Sequence, residues 1–463
     1  MFPFFMAYAA ALLEKHGHEA EAIDGVPLNM QESDFLEQVV AASSEMILFE
    51  PATTSFDYIL SIASNIKKKT NALIVFAGPH ASIFASDILQ QYQYIDYVLM
   101  GEYEFTLLEL IQDVFENKKA NLPAIKGLAY RSDKTTPIIN AKRLDADINE
   151  LPFPARHLFP SKKCNDLKYY HDGFCQNSPA IQMHSSRGCP FKCSFCLLTQ
   201  VMYTNGNYRT FTSQRVVEEM NLVVDRFSAK EIYFDDDTFT GNKKNVLELC
   251  REIKACGPNI PWSAMGDAIV TDSEMLMAMK DAGCIGLKLG LESGHPDILR
   301  RINKPIKLAR LEELITICKR LKIKTHITVS FGHEGETRET VNHTLRYVNS
   351  LDSDSIQFSL ATPYPGTFFY ENVKRSGMLI ANSWTEYDPT HNPIVKHDDF
   401  PLEYLRIIEA RSHKYWLYRK ILKPEWFFRQ CVYLIRLLRK QGVNGFLKRM
   451  RRFFGIIFSN RFR

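Results

Sequence analysis

From Ala180 to Leu360 the chain repeats one pattern: a short apolar run of strand length, then a stretch of helical periodicity. The apolar runs are Ile181–His184, Glu231–Phe234, Trp262–Met265, Gly286–Leu289, Thr325–Ser330 and Ser355–Leu360. Helical patterns cover Ser213–Phe227, Lys244–Cys256, Asp272–Ala282 and Ala309–Leu321. Parallel strands need a long crossover between them, and a helix is the usual one. A chain patterned this way is confined to helices packed over a parallel sheet. Six repeats predict an incomplete (β/α)6 barrel, whose chemistry would sit in loops at the C-terminal ends of the strands.

The loop after the first of these strands carries three of the ten cysteines. It reads Ser185-Ser186-Arg187-Gly188-Cys189-Pro190-Phe191-Lys192-Cys193-Ser194-Phe195-Cys196, a Cys-x3-Cys-x2-Cys spacing. Crowding of three thiols beside scattered others argues for a metal site in a reducing compartment, not for a disulfide framework. A structural zinc site wants four closed ligands. No nearby Cys or His completes such a set; His184, on the strand before the loop, is the closest candidate. Cys189, Cys193 and Cys196 are therefore expected to bind an iron–sulfur cube, leaving one iron open for chemistry.

Residues 1 to about 115 form a second α/β series. Apolar Met1–Leu13 lacks a basic leader and a cleavage site, so it reads as the buried face of a helix. Strands are predicted at Glu19–Asp24, Met46–Glu50, Ala72–Ala77 and Tyr97–Met100, with a helix over Asp57–Lys69. Gly78-Pro79 and Gly101-Glu102 close the last two strands. This pattern predicts a Rossmann-like doubly wound domain. The chain opens on a helix where such a domain opens on a strand, so one strand is expected to be missing. Residues 125–131 and 137–143 read as a β-hairpin, and Leu151-Pro152-Phe153-Pro154 as an interdomain linker. The expected division is a Rossmann-like domain over 1–145, a linker over 146–178, the partial barrel over 179–395 and a helical basic region over 396–463.

Cys-x3-Cys-x-aromatic-Cys after the first strand of a barrel resembles the radical S-adenosylmethionine (SAM) superfamily. The resemblance extends to Phe234-Asp235-Asp236-Asp237-Thr238-Phe239-Thr240, to Leu289-Gly290-Leu291-Glu292-Ser293-Gly294 and to Ser330-Phe331-Gly332 with Glu334-Gly335-Glu336-Thr337. His333-Glu334 stands where that last loop usually has a shorter apolar–Pro pair. The resemblance implies a [4Fe–4S] cluster that binds SAM through its open iron and cleaves it reductively to a 5′-deoxyadenosyl radical. It further implies SAM contacts at Phe195, Asp235, Asp236, Glu292 and Ser293. The Asp run would face the SAM ammonium, Glu292 a ribose hydroxyl and Ser293 the SAM carboxylate. An electron donor such as flavodoxin or ferredoxin is implied as a partner.

Ala361-Thr362-Pro363-Tyr364-Pro365-Gly366-Thr367 resembles a phrase of the branch that couples this barrel to an N-terminal cobalamin-binding domain. Leu12-Leu13-Glu14-Lys15-His16-Gly17-His18, Ile23-Asp24, Gly78-Pro79-His80-Ala81 and Gly101-Glu102-Tyr103-Glu104 resemble that domain. Gly78, His80, Gly101 and Glu102 are the implied cobalamin contacts. An Asp-x-His-x-x-Gly segment, which would supply a histidine to cobalt, is missing from the sequence. His80 then reads either as that ligand or as a cap on the turn after a strand. The branch implies methyl transfer to an unactivated carbon or to phosphorus. An oxidative cyclase or a rearrangement enzyme without methyl transfer is the alternative. A non-catalytic iron–sulfur or cobalamin carrier would have no need of the Asp and Glu-Ser segments. A methylthiotransferase would usually carry three further N-terminal cysteines, and none precedes Cys164.

The net charge of +4 conceals an asymmetry: after Arg411 Lys and Arg dominate and Glu425 is the one acidic residue, which leaves the preceding body acidic. Arg429, Arg436 and Lys440 fall on one helical face, and Lys448, Arg449, Arg451 and Arg452 lie among phenylalanines and isoleucines. Such a tail reads as a contact with an anionic membrane surface or as a lid on the acidic body. It also favours a small-molecule or lipid-like substrate. No nucleic-acid-binding module accompanies the charge, so nucleic acid is not expected. No apolar run reaches the length of a membrane span. The expected location is cytoplasmic, peripheral at a membrane through the tail.

Overall fold

The computed structural model describes residues 1–422 except 118–119, 134, 145, 162–165, 204–205 and 391, and scattered positions beyond 422. Most of the basic tail, including Arg429, Arg436, Lys440 and Lys448–Arg452, lies outside the described residues.

The chain opens with helices α1 (Phe4–Lys15) and α2 (Glu32–Ala41). Strand β1 (Met46–Phe49), helix α3 (Phe56–Lys69), strand β2 (Leu73–Phe76), helices α4 (Gly78–Ile83) and α5 (Ala85–Gln91), strand β3 (Tyr97–Leu99) and helix α6 (Glu104–Phe115) follow. Strands β1, β2 and β3 run parallel. The predicted hairpin forms as β4 (Leu128–Arg131) and β5 (Pro137–Ile139), which extend the sheet antiparallel beyond β3 to give the order β1-β2-β3-β4-β5.

Glu19–Asp24 is not a strand. It makes one antiparallel bridge, Ile23 to Ser161, and Asp24 N–H donates to the Pro160 carbonyl at 2.7 Å. Pro160 has no N–H to return, so the ladder cannot extend there.

The second sheet begins with β6 (Ala180–Met183). A two-residue ribbon, β7 (Ser186–Arg187) with β8 (Arg209–Thr210), follows. Then come α7 (Ser213–Phe227), β9 (Glu231–Phe234), α8 (Lys243–Cys256), β10 (Trp262–Gly266), α9 (Ser273–Asp281), β11 (Cys284–Glu292), α10 (Pro296–Arg301), α11 (Leu308–Arg320), β12 (Lys324–Phe331), α12 (Arg338–Ser350) and β13 (Ser355–Leu360). The chain continues through α13 (Phe368–Arg375) to α14 (Leu402–Ile421). All six strands of this sheet are parallel, in the order β13-β12-β11-β10-β9-β6 expected of a partial barrel.

Alternation decides the two faces of this sheet. Leu287, Leu289, Leu291, Ile327, Val329, Phe331, Phe358 and Leu360 are buried in the apolar core. The alternate positions, Lys288, Glu292, His326, Thr328 and Ser359, are half-buried and polar. They form the inner face of the barrel. Strand β11 runs three residues beyond the expected Leu289, and its register with β12 shifts between Gly290 and Glu292. Glu292 sits at φ +67°, a left-handed conformation unusual for a residue with a side chain.

Helix α1 lies where the two sheets meet. Phe4 stacks on His184 with ring centroids 3.7 Å apart, and Phe2 N–H donates to Gln182 Oε1 at 2.6 Å. Seven of its twelve residues are buried, as its apolar sequence requires. The Arg156 guanidinium is buried as well, donating to Glu219 Oε1 at 2.6 Å and to the Gln182 carbonyl at 2.8 Å.

Candidate active site

The cysteine loop leaves the sheet through β7. Gly188 adopts φ +85°, and a side chain there would collide with the Asn207 carbonyl, so the turn into Cys189 requires glycine. Gln200 secures the loop from beneath. Its Nε2 reaches the carbonyls of Cys193 and Ser194 at 3.1 Å each and of Cys196 at 2.9 Å. Its Oε1 accepts from Phe368 N–H at 2.8 Å. The loop is also tied to the end of α10, with Ser194 N–H on the Ile302 carbonyl at 2.9 Å and Asn303 Nδ2 on the Lys192 carbonyl at 2.7 Å.

Cys189, Cys193 and Cys196 are all free thiols, and Cys189 Sγ lies 3.1 Å from Thr238 Oγ1. Burial pushes the Cys193 thiol up to about 12, and the nearby Lys304 ammonium acts against it. Among the described residues, no three His, Cys, Asp or Glu side chains are arranged around a single metal ion. That arrangement does not suit zinc. In an iron–sulfur cube each thiolate takes its own iron, so the ligands ring the cube without converging on one point.

Opposite the loop is a buried ionic chain. Lys304 Nζ lies 3.3 Å from Asp267 Oδ2 and 3.8 Å from Glu292 Oε1. Ser330 Oγ donates to Glu292 Oε2 at 3.1 Å. A Cβ on Gly290 would lie 2.7 Å from Glu292 Oε1 and 3.1 Å from Lys304 Nζ, so the missing side chain makes room for this pair. Asp267 and Lys304 carry no local sequence signal. They meet Glu292 only because β10, β11 and the turn after α10 are brought together by the fold.

The predicted SAM contacts divide. Phe195 and Glu292 reach this region, because the Phe195 ring lies 5.4 Å from that of His333, whose Nε2 is 2.7 Å from Ser330 Oγ. Asp235 is half-buried, and its carboxylate accepts no hydrogen bond among the described residues. Burial raises its carboxyl to about 6, against the pull of Lys288. Asp236 faces elsewhere: its Oδ1 accepts from Ser185 N–H at 2.9 Å, Ser185 Oγ at 3.0 Å and Ser186 Oγ at 2.6 Å. Ser293 is fully buried, with Oγ 3.1 Å from Thr344 Oγ1 and accepting from His295 N–H at 3.1 Å. Asp236 Oδ1 and the Ser293 hydroxyl are thus engaged by the chain, while the buried Asp236 Oδ2 has no hydrogen-bond partner among the described residues.

The predicted cobalamin contacts divide in the same way. Gly78 and Gly101 stand at the C-terminal ends of β2 and β3 in positive φ, with Gly101 N–H donating to Ser82 Oγ at 3.0 Å. His80 is enclosed by Phe56, Phe84 and Trp384, with Nδ1 3.2 Å from Thr53 Oγ1. Burial lowers it to about 4. It is a packed core histidine within α4. Glu102 is committed to Arg187 at 2.9 Å and Arg209 at 2.7 Å.

The two sheets present these loops to each other. Helix α4 packs against the Leu198–Met202 turn that follows the cysteines. A Cβ on Gly101 would lie 3.3 Å from the Met202 carbonyl, and one on Gly366 would collide with Ile83 of α4. The glycine-bearing edge of the five-stranded sheet therefore faces the cysteine loop.

Residues 183–348 match the radical SAM superfamily profile, and residues 1–111 match the B12-binding domain. The chain is 30% identical to an uncharacterized methyltransferase of Pyrococcus horikoshii, over 94% of this chain and 92% of that protein. It is 24% identical to the cytidylyl-2-hydroxyethylphosphonate methyltransferase of Streptomyces wedmorensis, over 82% and 79% of the two chains. The structure of the radical SAM methyltransferase TsrM from Kitasatospora setae superposes with a TM-score of 0.67 at 19% identity, covering 84% of this chain and 80% of that one. At that identity the likeness is one of fold.

Proposed function

Because the chain belongs to the radical SAM superfamily, in the branch with an N-terminal B12-binding domain, we propose that it is a cobalamin-dependent methyltransferase acting on an unactivated carbon or on phosphorus of a small molecule. The observation that supports this reading is the packing of α4 and Gly101 against the Leu198–Met202 turn that follows the cysteines, an arrangement in which the two proposed cofactor sites would be neighbours.

When bound, the cluster supplies the electron that cleaves SAM and the corrinoid carries the methyl group. Cys189, Cys193 and Cys196 would hold the cluster, with Gln200 fixing their backbone. Lys304 sets a buried positive charge beside Cys193 and Glu292, suited to an anionic carboxylate. Glu292 would accept from ribose hydroxyls, Asp235 would meet the SAM ammonium, and Phe195 would give SAM an apolar face. Gly78 and Gly101, at the C-terminal ends of β2 and β3, would lie at the edge of the corrinoid site. The inner face of the barrel, with Asp235, Lys288, His326, Thr328 and Gln357, favours a polar substrate over a lipid-like one.

Anaerobic reconstitution followed by SAM and dithionite tests the first step, and 5′-deoxyadenosine is expected. An intact cluster that yields none would overturn the radical reading. Purification with cobalamin supplied tests the second, because a chain that retains no corrinoid cannot be this methyltransferase. Flavodoxin or ferredoxin is the proposed electron donor. Among the described residues no helix is long and apolar enough to cross a membrane. Contact of the basic tail with anionic lipid rests on its composition alone. Equal flotation with anionic vesicles of the full chain and of one ending at Pro424 would remove it.

A further inference from the structure

His333 follows Ser330-Phe331-Gly332 at the end of β12, and it is 1% exposed. Its imidazole touches both halves of the candidate SAM site. On one side its ring packs 5.4 Å from the Phe195 ring on the cysteine loop, and 6.1 Å from Phe369. On the other, Nε2 lies 2.7 Å from Ser330 Oγ, which donates to Glu292 Oε2 at 3.1 Å.

With Ser330 Oγ–H donating to Glu292 Oε2, the Ser330 oxygen is left to accept from His333 Nε2–H, which assigns the imidazole its Nε2-protonated tautomer. The backbone that carries the imidazole is held in turn: Glu336 Oε2 accepts from the backbone N–H groups of Gly332 and His333 at 2.5 and 3.3 Å. Glu292 sits in left-handed backbone and, among the described residues, has only Lys304, at 3.8 Å, on its other oxygen. Without the Ser330 proton its carboxylate loses its one directional contact among the described residues.

We propose that His333 is a positioning residue: through Ser330 it aims the Glu292 carboxylate, and by ring packing it sets Phe195, so that one side chain aligns two contacts with SAM from opposite sides. The proposal rests on the radical SAM reading of the site.

The test is uncoupled 5′-deoxyadenosine formation by the reconstituted full chain with SAM and dithionite. His333→Leu is expected to raise the KM for SAM at least about tenfold, the equivalent of one hydrogen bond to a charged group. Its kcat and iron content should change much less. His333→Gln, whose side-chain amide can donate to Ser330 as Nε2–H does, is expected to recover most of the loss. A core filler would show no such rescue. Ser330→Ala should reproduce the KM shift, and the double variant should add little, because both act through one chain of bonds. Should His333→Leu fail to load a cluster, Ser330→Ala alone decides. Wild-type KM in Ser330→Ala, equal impairment of His333→Leu and His333→Gln, or additive effects would overturn the proposal. A wild-type chain with an intact cluster and no 5′-deoxyadenosine would instead overturn the functional reading beneath it.

Discussion

The Arg187 guanidinium pairs with the Glu102 carboxylate at 2.9 Å across the junction of the two sheets, two residues before Cys189. Glu104 takes the other nitrogen at 2.6 Å, and Phe5 and Tyr8 of α1 flank the guanidinium at 4.9 and 4.8 Å. Arg187 is 1% exposed, and Glu104 depends on it for charge balance, while Glu102 also pairs with Arg209 at 2.7 Å. Removing one partner of a buried pair leaves an uncompensated charge. Arg187→Met is expected to cost about 3–5 kcal/mol. Glu102→Gln, which leaves the Glu104 pair, should cost about 1–3 kcal/mol. Urea denaturation measures both. Equal losses in the two variants would show that Arg187 does not balance the junction.

Gln200 should matter to cluster loading more than to stability. Its amide hydrogens serve three carbonyls of the cysteine loop, at 2.9 to 3.1 Å. Gln200→Glu would turn a carboxylate oxygen toward those carbonyls and add repulsion. The expected outcome is a several-fold fall in iron and sulfide per chain after reconstitution, with a stability loss of about 1–3 kcal/mol from the lost hydrogen bonds. Normal iron content in this variant would mean that the loop holds its shape without Gln200.

What the sequence made legible was local. The βα periodicity located all six barrel strands, because a strand buried on one face announces itself by apolar runs and length. The cysteine loop was legible because its three cysteines lie within eight residues. What escaped depends on contacts between distant segments. Asp267 and Lys304 are 37 residues apart, and the Ser293 hydroxyl faces a threonine 51 residues away. Glu102 follows the glycine that closes β3, yet its partner Arg187 lies 85 residues on. A motif gives the residue type at a strand end, but not the direction in which its side chain is drawn.

His80 is expected to be dispensable for holding cobalt. Its ring is enclosed by Phe56, Phe84 and Trp384, and burial lowers it to about 4, so it stays neutral across the working pH range. His80→Phe should keep the aromatic packing and lose only the Thr53 contact, at a cost of about 1 kcal/mol. Corrinoid binding should be retained. The cob(II)alamin electron paramagnetic resonance spectrum of the wild type should show no splitting from a protein imidazole nitrogen. Splitting that disappears in His80→Phe would place the histidine on cobalt after all.

Asp236 gives the fold a pH dependence whose sign is fixed. Burial raises its carboxyl from 3.8 to about 7, although Ser185 and Ser186 donate to it. Between those two values the folded state binds more protons at this site than the unfolded state does. Stability therefore falls as pH rises through that window, and the loss is complete above about 7. The contribution is of the order of a few kcal/mol. Asp236→Asn removes the titration while its Oδ1 still accepts from the two serines. The variant is therefore expected to compare worst with wild type near pH 5 and better near pH 8, as urea midpoints at the two values would record. A stability difference that stays constant with pH would mean that Asp236 is ionised in the folded protein throughout, with its serine donors outweighing the cost of burial.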